Sequence, residues 1–178
     1  MAHLAVTAFG VDRPGIVATV TGVLVEHGGN LEDTAMTILG GHFAMMLVVE
    51  VPDEEGADAL EAALVDAVAP LGLTVVVRPI DDAGSARATG SPWAVSVYGA
   101  DQPGIVHRVT QLLADRGANV ADLSTRVVGP AGAPAYVMLL EVVLPDDVDP
   151  DELGDELRRV AGDLGVEVHL RPDDADVL

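Results

Sequence analysis

The sequence predicts an α+β fold in which one β-α-β-β-α-β unit occurs twice in tandem, each copy an antiparallel sheet with helices on one face. The first observation behind this is a repeat: Gly10-Val-Asp-Arg-Pro-Gly-Ile-Val17 matches Gly99-Ala-Asp-Gln-Pro-Gly-Ile-Val106 at six of eight positions. The offset of 89 persists where Gly28-Gly29-Asn30-Leu31-Glu32-Asp33 falls on Gly117-Ala118-Asn119-Val120-Ala121-Asp122. Farther on the offset is 93, pairing Pro52 with Pro145, Gly72 with Gly165 and Arg78-Pro79 with Arg171-Pro172. The second observation is that strand-like and helix-like apolar spacing alternate in the same order in both copies. The third is composition: 49% apolar side chains in 178 residues suffice for two modest cores.

Each element has its own signal. His3 to Gly10 alternates and is rich in β-formers, and Trp93 to Gly99 repeats it. A helix follows, with Asp12 or Asp101 able to accept first-turn N–H groups and Pro14 or Pro103 having no N–H to lose there. Ile16, Val20, Val23 and Leu24 form its apolar stripe, echoed by Ile105, Val109, Leu112 and Leu113. Gly28 and Gly117 suit the residue that closes such a helix. Two strands come next, Asn30 to Leu39 and His42 to Val51, with Gly40-Gly41 as a two-residue hairpin turn. The second copy carries four extra residues, which the Gly129-Pro130-Ala131-Gly132-Ala133-Pro134 loop accommodates. A second helix opens after Pro52 with Asp53 as its cap candidate, a role Asp149-Pro150 takes in the other copy. Leu60, Leu64 and Val68 mark its buried face, as do Leu153, Leu157, Val160 and Leu164. Leu73 to Arg78, or Val166 to Arg171, is the last strand, completing the ferredoxin-like order. These signals divide the chain into domains at 1–80 and 93–172, a linker at 81–92 and a flexible tail at 173–178.

Composition narrows the function classes. Nine basic residues against 29 acidic ones leave a formal charge of −20 and a pI near 4.2. Direct binding to nucleic acid is disfavoured, because that affinity comes largely from neutralising phosphates. The absence of cysteine excludes disulfides, thiolate metal sites and Cys nucleophiles. No signal-peptide pattern opens the sequence and no apolar run approaches a membrane span, so a cytoplasmic protein without membrane contact is expected. His3, His27, His42, His107 and His169 lack metal-ligand spacing, and the acidic run from Asp146 to Glu156 lacks the calcium-loop pattern. It reads instead as an acidic first helical turn. No nucleophile elbow, phosphate loop or acid and base pair is visible, so neither catalysis nor a cofactor is expected.

Asp-x-Pro-Gly-Ile-Val between the first strand and helix, followed by Gly-x-Asn at the second strand, resembles the ACT domain. Two copies with no catalytic domain attached resemble the tandem ACT regulators typified by the glycine cleavage system transcriptional repressor. The resemblance implies a small amino acid ligand where the first strand-to-helix loop of one unit faces the second strand of its neighbour. The residues it points to are Asp12, Pro14, Gly15, Ile16, Asn30 and Leu31 in the first copy, and Asp101, Pro103, Gly104, Ile105, Asn119 and Val120 in the second. The chemistry fits, since a helix N-terminus attracts a carboxylate while Asp and Asn side chains suit an ammonium group. On sequence alone, Asp12 and Asp101 read equally well as helix caps. The resemblance further implies a non-enzymatic regulator acting on a protein partner in control of amino-acid metabolism, or alternatively the regulatory subunit of a biosynthetic enzyme. Serine-binding members have His in place of Gly10 and Gly99 and Asn in place of Asp12 and Asp101, so serine recognition in that form is not implied.

Assembly is the last expectation. Phe43 to Val51 and Tyr136 to Leu144 carry apolar side chains on both faces, with Glu50 and Glu141 as their only charges. Side-by-side copies would leave an apolar open sheet face, so a homodimer covering it is expected in preference to pairing within the chain.

Overall fold

The computed structural model describes residues 2–52, 55–80, 89–130 and 134–173. The chain forms two compact units, Met1–Ser85 and Ala86–Leu178. In the first unit, β1 (Ala2–Val11), α1 (Ile16–Glu26), β2 (Asn30–Leu39), β3 (His42–Val51), α2 (Glu55–Val68) and β4 (Leu73–Ile80) follow in order. The second unit repeats them as β5 (Ser91–Gly99), α3 (Ile105–Asp115), β6 (Asn119–Val128), β7 (Ala135–Leu144), α4 (Pro150–Asp163) and β8 (Val166–Pro172). Each sheet is antiparallel throughout, ordered β2-β3-β1-β4 and β6-β7-β5-β8. This is the ferredoxin-like βαββαβ fold twice over.

The helix stripes meet the sheets as their spacing requires. Ile16, Val20, Val23 and Leu24 from α1 and Leu60, Leu64 and Val68 from α2 bury against Leu4, Val6, Leu47 and Val49. Ile105, Val109 and Leu113 from α3 and Leu153, Leu157 and Ala161 from α4 do the same against Val95, Val97, Met138 and Leu140. Leu112 and Val160 pack only partly buried at the margin of that second core. Gly10 and Gly99 are fixed by close approach of the neighbouring strand. A Cβ on Gly10 would stand 2.9 Å from the Gly72 carbonyl oxygen, and one on Gly99 would stand 3.0 Å from the Val166 Cα.

Turns and caps follow the expected residues with one exception. Gly40 and Gly41 both have positive φ, and Gly28 and Gly117 close their helices in the left-handed region. The Asp149 carboxylate accepts hydrogen bonds from the Asp151 and Glu152 N–H groups at 2.8 and 3.4 Å, with Pro150 opening α4. Its counterpart Asp53, residues 81–88 of the linker, 131–133 of the extra loop and 174–178 of the tail lie outside the described residues. The exception is α1 and α3. Gly15 and Gly104 are their N-caps, with φ of 93° and 95°, and neither helix has a side-chain cap. Asp12 and Asp101 stand three residues too early, because Pro-Gly inserts a turn before the helix.

The open sheet faces are also less apolar than β3 and β7 alone suggest. Register places Asp33, Thr37, Thr74 and Arg78 on that face in the first unit, and Asp122, Arg126, Glu167 and Arg171 in the second. The flanking strands supply polar groups that the central ones lack.

Candidate functional site

The first strand-to-helix loop is built from its ends inward. Ile16 and Ile105 are buried, anchoring the start of each helix, so only their backbone reaches the surface. The Gly15 and Gly104 carbonyls accept the first helical bonds, from Thr19 N–H at 2.9 Å and Arg108 N–H at 3.0 Å. The N–H groups of the first turn are therefore aimed out of the helix end with no side chain to cap them and no acidic residue in that turn. Such an end carries partial positive charge and favours an anion. Asp12, Pro14 and Gly15, like Asp101, Pro103 and Gly104, are exposed around it. The Asp12 N–H donates to the Gly41 carbonyl at 3.0 Å, tying the loop to the hairpin turn and leaving its carboxylate uncommitted to the helix.

The other half of the expected site lies elsewhere. Val11 pairs with His42 and Leu39 with His42, so loop and hairpin share one end of the sheet. Asn30 pairs with Glu50 at the opposite end, roughly 30 Å away along a ten-residue strand. There His3 of β1 lies 3.6 Å from Glu32 and 3.9 Å from Glu50. Asn119 likewise pairs with Val143, far from Asp101. Leu31 is exposed on the helix side of its edge strand, whereas Val120 packs partly buried against the second core. No unit brings its own Asp and Asn together.

The sequence motif misses one residue near the loop. Tyr136 pairs with Gly99 and is buried on the helix face, two residues in register from the start of the loop. Burial, and then the negative charge of Asp101, push its hydroxyl pKa above the ordinary tyrosine value. Phe43 stands at the same place in the first unit, opposite Gly10. The repeat offset of 93 carried the signal, since it aligns a hydroxyl with a bare ring.

Comparison with known proteins agrees with this architecture. Family models of the ACT domain match residues 2–78 and again residues 93–162. A UPF0237 protein of Methanopyrus kandleri is 39% identical over 82 residues, covering 46% of this chain and 91% of that protein. The glycine cleavage system transcriptional repressor of Escherichia coli is 32% identical over 124 residues. That match takes in 70% of this chain and 64% of the repressor, less than two thirds of its length. An unknown protein from Galdieria sulphuraria, solved by crystallography, superposes with a TM-score of 0.84 at 29% identity, covering 97% of this chain and 98% of that one. Among the described residues no helix is long and apolar enough to cross a membrane. The chain belongs to the ACT-domain family and carries two ACT domains in tandem.

Proposed function

We propose that this chain is a non-enzymatic, cytoplasmic amino-acid sensor that acts on a protein partner in transcriptional control of amino-acid metabolism. The observation that carries the reading is the pair of uncapped helix N-termini behind Pro14-Gly15 and Pro103-Gly104, each with a free-standing Asp beside it. An α-amino acid places its carboxylate on the first-turn N–H groups of Ile16 or Ile105 and its ammonium on Asp12 or Asp101. Asn30, Leu31, Asn119 and Val120 lie at the far ends of their own sheets, so they join the site only from another ACT unit. An antiparallel approach of two β2-type edge strands brings the start of one beside the loop of the other. The ligand thereby reports on assembly, which is how a binding event becomes a change in partner contact. Similarity to the repressor supports transcription as the process, and a charge of −20 supports a protein rather than DNA as the immediate partner.

A thermal-shift screen of the purified chain against the twenty common amino acids tests this, because a ligand specific to the folded state raises its melting temperature. Glycine, serine or a small apolar amino acid is expected to give the largest shift, and Asn30→Ala with Asn119→Ala to abolish it. A shift undiminished in the double variant places the ligand elsewhere. No shift with any amino acid overturns the reading.

A further inference from the structure

The open face of the second sheet, away from the helices and from the loops just described, holds a concavity of about 220 Å³. Its chemistry is set by one cross-strand row together with Asp173, which lines it just beyond the end of β8. Asp122 on β6 pairs with Glu141 on β7, Glu141 with Ala94 on β5, and Ala94 with Arg171 on β8. The row thus reads acid, acid, methyl, guanidinium, with the small Ala94 leaving the gap. In the next row Ser124 and Ser96 flank Leu139 and add hydroxyls on either side.

Two features of this row are unexplained by folding. Like charges directly opposite on neighbouring strands repel, yet Asp122 faces Glu141 and, among the described residues, no cation forms an ion pair with either. Among the described residues, no hydrogen bond or ion pair engages the Arg171 guanidinium. The first unit has neither feature. There Val48 faces Asp33, and Arg78 donates to the Val77 carbonyl. The concavity at that place is about 110 Å³ and does not include Arg78. The charge set was therefore not imposed by the fold.

We propose that this face of the second ACT domain is a separate ligand site for a small zwitterion whose amine and carboxylate are separated by more than one carbon. The amine lies on the Ala94 side of Glu141, where its charge offsets that of the Asp122–Glu141 pair, and the carboxylate lies on Arg171 across Ala94. Glu141 and Arg171 are two strands apart, roughly 9.6 Å. Side chains standing upright from the sheet and hydrogen bonds of roughly 2.8 Å at each end leave roughly 4 Å between the ligand's charged groups. Nitrogen and carboxyl carbon of an α-amino acid are only roughly 2.5 Å apart. A β- or γ-amino acid spans the gap.

The test uses the full chain carrying Asn30→Ala and Asn119→Ala, so that a ligand at the loop site does not contribute. β-Alanine and 4-aminobutyrate are titrated by NMR, with glycine, propionate and propylamine as comparisons. Saturable shifts of the Ser96, Ser124 and Leu139 amides are expected with the first two, and binding at least tenfold weaker with the other three. Glu141→Val, which installs the residue type the first unit carries there, and Arg171→Gln are each expected to weaken binding at least tenfold. Equal affinity in both variants, equal affinity for propylamine, or no saturable shift with either zwitterion overturns the proposal.

Discussion

Gly15 decides where α1 begins, and it does so through its backbone alone. Its φ of 93° is in the left-handed region, while a Cβ there would meet nothing within 4 Å. Gly15→Ala is therefore expected to cost about 1–2 kcal/mol from backbone strain, without a packing clash. Gly22, exposed within the same helix and equally unobstructed, gives the opposite sign. Gly22→Ala is expected to stabilise by about 0.5–1 kcal/mol. Urea unfolding of the two variants checks both, and a Gly15→Ala protein as stable as the parent contradicts the assigned turn. Tyr136 supplies a pH-dependent case. Its folded-state pKa is raised above 10.0 by burial first and by Asp101 second. A raised pKa stabilises the fold below the unfolded value and loses that stabilisation as pH climbs through the folded one. Stability of the parent should therefore fall from about pH 10 upward. Tyr136→Phe, which installs the bare ring that Phe43 carries in the first unit, should fall less steeply. Urea midpoints at pH 8 and pH 11 test this, and parallel losses in the two proteins count against it.

At the level of elements, the contrast between Asp149 and Asp12 shows what a motif does and does not specify. Asp149 precedes Pro150 directly, so its carboxylate reaches the N–H groups two and three residues on. Asp149→Ala removes both bonds and is expected to cost about 1 kcal/mol, while Asp12→Ala leaves the stability of α1 nearly unchanged. Chemical unfolding of both variants checks the pair; equal losses mean that Asp12 caps after all. The sequence alone made the described strands and α-helices legible, because their apolar spacing answers directly to what each element buries. The bounds of β2 and β3 follow from Gly40-Gly41 and Pro52. The true N-caps of α1 and α3 were not legible, since Asp-x-Pro-Gly contains two overlapping start signals and only the Gly15 and Gly104 backbone conformations decide between them. Nor was the separation of Asp12 from Asn30. That depends on strand order, with β2 at the edge and antiparallel to β3, which no local pattern encodes.

For the whole molecule, apolar surface lies uncovered on the helix side of each edge strand as well as on the open sheet face, where Phe9, Met46 and Leu139 are exposed. Met36 and Ile38 pair with the buried Met45 and Phe43, so they point to the side that the helices cover on the central strands. Yet they are 51% and 50% exposed, because α1 and α2 stop short of β2. Leu123 and Val127 repeat the situation on β6, opposite Leu140 and Tyr136. A ten-residue edge strand with free N–H and C=O groups and apolar neighbours is a template for pairing with another strand. These edges therefore offer the homodimer expected from the sequence a second surface beside the open face, where Asp33, Asp122, Arg78 and Arg171 interrupt the apolar residues. Edge pairing would also close the distance between loop and Asn that no unit closes for itself. Light scattering coupled to size exclusion is expected to give twice the chain mass of 18.3 kDa for the parent. Met36→Lys with Ile38→Lys places two charges on the β2 edge and should reduce that mass to 18.3 kDa with the circular dichroism of the fold intact. A dimer that survives these charges is held by another surface, and a parent that is already monomeric at micromolar concentration leaves the edges of β2 and β6 without a second chain to complete the proposed amino-acid site.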